Sequence, residues 1–179
     1  ASGENGAVFT WYDSNNLDHA IQVGAQYNTP TLTTTTSYYV TQTVGGCTSE
    51  AAQVTVTVNP LPATPTPTSN APICEGSTLE LFSNVQGIGF LYSWSGPKGF
   101  TSTVSNPTIP SVTEANNQGT YTLVVTDSVT GCSSLANSVY VDIIPTPNAP
   151  SISANSPLCE GENLVLTASD VAGATQYTW

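Results

Sequence analysis

The sequence predicts an all-β protein made of tandem antiparallel sandwiches, and three observations predict it. Landmarks recur at one period. Ile73-Cys74-Glu75-Gly76 returns as Leu158-Cys159-Glu160-Gly161 (159 − 74 = 85 residues). Gly46-Cys47-Thr48-Ser49 returns as Gly131-Cys132-Ser133-Ser134 (132 − 47 = 85 residues). An aromatic-x-Trp step occurs at Phe9-Thr10-Trp11, Tyr92-Ser93-Trp94 and Tyr177-Thr178-Trp179, the last two again one period apart. A shared period of this kind marks an array of similar domains. Apolar and polar residues alternate with period two and show no helical period. Proline-rich stretches, Pro60 to Pro67 and Ile144 to Pro150, fall at matching places in the repeat. Closely spaced prolines favour extended, semi-rigid backbone, so the domain boundaries are set there.

The expected division is 1–60, the C-terminal part of one sandwich; 61–146, a complete one; and 147–179, the N-terminal part of the next. In the middle domain Thr78-Leu79-Glu80-Leu81-Phe82 reads as a strand and Phe90-Leu91-Tyr92-Ser93-Trp94 as the next. Ser95 to Phe100 is a turn, and Asn106-Pro107-Thr108-Ile109 leads into a short strand. Gly119 to Thr126 is the strongest strand, and Ser138 to Ile143 closes the unit. Six or seven short strands spaced by turn residues give a sandwich. A closed barrel would need longer strands of even spacing. The first segment supplies the matching late strands, Ser37–Thr43 and Gln53–Val58. The last supplies early ones, Leu164–Thr167 and Gln176–Trp179.

Composition bounds the function. The 179 residues carry twelve acids against one Lys (Lys98), no Arg and one His (His19), for a net charge of −11. That argues against nucleic-acid binding, which needs cations to neutralise phosphates, and against docking onto anionic lipid. Charged residues are only 7% of the chain, so solubility rests on Thr, Ser, Asn and Gln, as is common in extracellular β proteins. No apolar run reaches the length of a membrane span, and an export signal is expected outside this segment. Four cysteines with no Cys-x-x-Cys pair point to disulfides in an oxidising compartment. Trypsin-like proteases are offered a single bond, at Lys98.

The order Cys-Glu-Gly, apolar alternation, Tyr-x-Trp, Gly-Pro-x-Gly-Phe, Asn-Pro-x-Ile, Gly-Thr-Tyr-Thr-Leu, Thr-Gly-Cys resembles the immunoglobulin-like repeats of very large secreted and cell-surface proteins of Bacteroidota. Among these are the giant adhesins of gliding flavobacteria. Trp11-Tyr12-Asp13 with Thr33 to Val40 looks like a sister subtype. The resemblance spans the chain, is specific for the module and says little about activity. It implies export by the type IX route.

Four cysteines allow two sensible pairings here. Cys74–Cys132 closes the middle domain on itself and leaves Cys47 and Cys159 for partners outside the segment. Cys47–Cys74 with Cys132–Cys159 instead clamps successive domains. The resemblance favours the first, because such modules carry both cysteines in one unit. Closing the loop from 74 to 132 (132 − 74 = 58 residues) would contribute roughly 4 kcal/mol, a large part of a small domain's stability.

Trp11, Trp94 and Trp179 are expected in the core, as the buried Trp of a sandwich's third strand; the competing role is a sugar-stacking platform. Tyr39 and Tyr121 are expected to pack or hydrogen-bond structurally. Glu75 and Glu160, in the Cys-Glu-Gly turn, are weak candidates for an interdomain Ca²⁺ site; a turn acid more often bonds local backbone amides. No cofactor is expected otherwise. Catalytic signatures, including Gly-x-Ser-x-Gly and His-Glu-x-x-His, are missing, so no enzyme is expected. Asp127-Ser128-Val129 fits the Asp-Ser/Thr-aliphatic pattern of O-glycosylation in Bacteroidota and makes Ser128 the glycosylation candidate.

The expected role is structural and adhesive: a stalk or adhesin segment at the cell surface, in contact with neighbouring repeats and with surface polysaccharide or other ligands. Two alternatives stand beside it. One is a spacer or carbohydrate-binding accessory of a secreted enzyme, with Phe100 as an exposed aromatic. The other is a subunit of a polymeric surface filament.

Overall fold

The computed structural model describes residues 6–85 and 87–170. Within them the chain divides into two compact units. The first takes the residues up to Pro62 together with Asp127–Ser133, and the second takes Ala63–Thr126 and the described residues from Ser134 on.

The first unit contains one antiparallel sheet. Its strands are β1 (Val8–Tyr12), β2 (Ala20–Val23), β3 (Thr36–Val44), β4 (Cys47–Thr48) and β5 (Ala52–Val56). They run in the order β2-β1-β3-β4, with β5 also on β3. The long β3 is central because its Tyr, Val and Thr residues suit a pleated surface. Val44 pairs with Cys47 across a two-residue turn. Gly45 and Gly46 there have φ of 57° and 87°, the left-handed pair that such a tight hairpin needs.

The second unit holds the sandwich. Its strands are β6 (Thr68–Ser69), β7 (Ile73–Cys74), β8 (Leu79–Phe82), β9 (Phe90–Ser95), β10 (Thr101–Ser102) and β11 (Thr108–Ile109). After the one-turn helix α1 (Glu114–Asn117) come β12 (Gly119–Asp127), β13 (Asn137–Val141) and β14 (Ile143–Ile144). One sheet is ordered β10-β9-β12-β13 and the other β11-β8-β6, while β14 pairs with β7 in parallel. Period-two alternation sends Leu79 and Leu81 of β8 toward Trp94 of β9 and Tyr121, Leu123 and Val125 of β12. All six are at most 1% exposed and, with Val112, Val141 and Ile143, form the core. Each large apolar side chain so buried contributes about 1.5–3 kcal/mol.

The start of the next repeat is a strand pair, β15 (Ile152–Ala154) with β16 (Leu166–Ala168). It copies a clip found one period earlier. The Asn70 side chain accepts from the Glu80 amide and donates to the Thr78 carbonyl. Asn155 does the same with Val165 and Asn163. The repeat seen in sequence is thus a repeat of local hydrogen bonding as well.

Candidate functional site

The sandwich has two distinct poles, and the recurring Cys-Glu-Gly and Gly-Cys turns sit at them. β12 runs from Gly119, opposite Val141, to Asp127, beside the Cys132 carbonyl. Its nine residues cover about 27 Å at a strand's rise. Cys74 lies at the Gly119 end, paired in register with Ile144, and the next amide, that of Glu75, donates to the Ile144 carbonyl. Cys132 lies at the Asp127 end, in the turn between β12 and β13.

This placement speaks against the intradomain pairing of Cys74 with Cys132. A disulfide needs Cα atoms within about 7 Å, and the length of β12 lies between the two. None of the four cysteines is bonded to another; Cys47, Cys74 and Cys159 are exposed and Cys132 is half-buried. The centre of the sandwich needs no bridge. In antibody-type sandwiches the second core cysteine follows the corner tyrosine by two residues. Here Tyr121 holds the corner, its hydroxyl donating to the Asn117 carbonyl at 2.9 Å, and two residues on stands buried Leu123.

Trp94 is buried, with its indole N–H donating to the Ser105 carbonyl. Trp11 is half-buried, donates to the Gly24 carbonyl and stacks with Tyr27, which meets Tyr38 edge-on. Trp179 lies outside the described residues. In the first unit the buried tyrosine of β3 is Tyr38; Tyr39, the expected one, is only half-buried and points to the other face. Phe100 is not a free aromatic: its ring packs edge-on against Tyr121 at 5.4 Å. Burial raises the Tyr121 phenol above the ordinary tyrosine value, and the bond to Asn117 offsets part of the rise.

The Glu75 carboxylate accepts from the Glu114 amide at 2.9 Å, at the first turn of α1. That amide is one of the orphan donors of a helix start, and a carboxylate there also meets the positive end of the helix dipole. Glu160 is exposed, and in its turn Glu162 accepts from the Cys159 amide. Among the described residues no group of three or more His, Cys, Asp or Glu is placed to hold a metal ion. No helix described is long and apolar enough to cross a membrane.

Asp127 shapes the β12–β13 turn. Its carboxylate accepts from the amides of Val129 and Thr130 at 2.8 and 2.9 Å. The Thr130 bond, then the Val129 bond, holds it below the ordinary aspartate value. Ser128 stands exposed at the tip. A concavity of about 460 Å³ in the first unit is lined by Phe9, Val40, Thr41, Gln42, Ser49, Glu50 and Ala52. Within it the Ser49 hydroxyl donates to the Glu50 backbone carbonyl.

Residues 1–60 match the family model described as Ig-like domain CHU_C associated. No curated protein matches the chain. Among solved structures, murine CEACAM1b is 17% identical at a TM-score of 0.38, over 76% of this chain and 85% of that one. The N-terminal four Ig domains of Dscam1 isoform 7.44 are 13% identical at a TM-score of 0.34, over 76% of this chain and 37% of that one.

Proposed function

We propose that this chain is a segment of an extracellular array of Ig-like sandwiches, from a bacterial surface protein exported to the cell surface, where it acts as a stalk or adhesin and not as an enzyme. One observation carries the reading. The proline-rich approach passes the hairpin side of the sandwich, where the Asn137 side chain donates to the Pro65 carbonyl. The chain leaves from the opposite pole, after Ile144 beside Cys74. A domain entered at one pole and left at the other adds its length to whatever carries it, so copies in tandem extend reach. The polar composition with few charged residues and the match of residues 1–60 support the same reading.

The partners under this proposal are the neighbouring repeats and a surface ligand such as polysaccharide, engaged weakly and many times over. Ser128, exposed at the hairpin tip, is the proposed O-glycan acceptor. In-frame deletion of whole repeats from the parent gene tests the function. A label at the distal end should draw closer to the cell in steps, and attachment should fall, while export persists. Failure of antibody against this segment to label intact cells, or attachment indifferent to repeat number, would refute the proposal.

A further inference from the structure

The two cysteines of the middle repeat, Cys74 exposed beside Ile144 and Cys132 half-buried in the β12–β13 turn, lie beyond opposite ends of β12, and this sets what each can bond. In a chain of domains joined pole to pole, the cysteine of the Cys-Glu-Gly turn at the leaving pole faces the Gly-Cys hairpin at the entering pole of the following domain. We propose that these two form a disulfide: Cys74 and Cys159 bond to the Gly-Cys cysteine of the next repeat, and Cys47 and Cys132 to the Cys-Glu-Gly cysteine of the repeat before. This rests on the tandem-array reading and goes beyond it, because it fixes the joint between domains.

The register of the repeat provides independent support. Val54, Val56 and Val58 align with Val139, Val141 and Ile143, and Pro60 and Pro62 with Pro145 and Pro147, each pair one period apart. The strands agree, since β5 (Ala52–Val56) lies one period before β13 (Asn137–Val141). Asn59 is therefore the counterpart of Ile144, and Ile144 is the residue paired with Cys74. The place beside Asn59 is the one that the preceding Cys-Glu-Gly cysteine occupies in its own domain. The Cys132 sulfur already lies there, 3.9 Å from the Asn59 carbonyl oxygen. Neighbouring strands run about 4.8 Å apart, so a cysteine paired with residue 59 would stand one strand spacing from the residue whose carbonyl the Cys132 sulfur touches. The bridge that antibody-type sandwiches place in the core, where this chain has Leu123, is relocated to the joint.

The chemistry balances with a disulfide oxidant of the oxidising compartment. A thiolate of one cysteine attacks the oxidant's disulfide, and the second cysteine displaces the oxidant from the mixed disulfide. Two protein thiols become one disulfide, and the oxidant's disulfide becomes two thiols.

The test is non-reducing peptide mapping of the full natural protein after blocking free thiols. The expected cross-links join the Cys132 peptide to a Cys-Glu-Gly peptide of the repeat upstream, and the Cys74 peptide to a Gly-Cys peptide of the repeat downstream. A Cys74–Cys132, Cys47–Cys74 or Cys132–Cys159 cross-link would overturn the proposal, as would blocked thiols at all four positions; the array reading would survive any of these. A second measurement uses this chain extended upstream of Ala1 by a copy of its own residues 61–85, which sets a Cys74 copy one period before Cys74. Oxidation should consume the Cys132 thiol in that chain and spare it when the added cysteine is Ser. Equal loss in both would refute the joint.

Discussion

Replacing Tyr121 by Phe isolates the hydroxyl that ties the middle sandwich's corner. The side chain is fully buried, so the ring's packing against Phe100 survives the change. What is lost is the 2.9 Å bond from the hydroxyl to the Asn117 carbonyl. A net contribution of about 1 kcal/mol is expected for such a bond, rising toward about 2 if the carbonyl is left dry. In a domain of this size each kcal/mol moves the melting temperature by about 4–8 °C. The assay is thermal and denaturant unfolding of the chain, with the transition of the second unit followed by near-ultraviolet circular dichroism. The pH dependence provides a second reading. Burial raises the folded phenol's pKa, so the stabilisation is complete below the unfolded value of about 10 and is lost as pH rises through the folded value. Wild type and Tyr121→Phe should therefore differ most near neutral pH and converge as pH passes 10. A variant as stable as wild type at pH 7, or a gap that stays constant from pH 8 to 11, would refute the corner's role.

Gly96→Ala would set a Cβ 2.6 Å from the Tyr121 ring; overpacking of about 1–3 kcal/mol is expected, read as a lowered denaturation midpoint. Leu123→Ala empties the centre of the core where no bridge stands, and a loss of about 2–5 kcal/mol is expected from equilibrium unfolding. Glu75→Ala removes the acceptor of the Glu114 amide, so faster hydrogen exchange at that amide and a loss of about 1 kcal/mol are expected. Asp127→Ala should speed exchange at Val129 and Thr130. In wild type the same protection, present at neutral pH, should fade as pH drops through the lowered carboxyl value.

The core was legible in the sequence where one element alternates over many residues. Gly119 to Thr126 puts Tyr121, Leu123 and Val125 on one face whatever the rest of the chain does, and all three are buried. Trp94 was legible for the same reason. Alternation fails where two adjacent residues compete for one face. Tyr38 and Tyr39 satisfy period two equally well, and only the pairing of β3 with its neighbours places Tyr38 inside. Phe100 stood in a turn motif, where sequence does not show what lies above the ring. The cysteines were illegible for a larger reason. Their spacing says nothing about poles, and Cys74 lies on a two-residue strand too short to show any period, fixed by a parallel pairing with a strand far along the chain. One signal was present in the sequence: Leu123, two residues after Tyr121, occupies the place of a core bridge.

The central claim is that each repeat is entered at one pole and left at the other, so that an array lengthens with repeat number. Contour length of the natural protein by electron microscopy tests it most directly. With β12 alone spanning about 27 Å and extended linker residues adding about 3 Å each, every repeat should add more than about 27 Å. Particles whose length is independent of repeat number would contradict it.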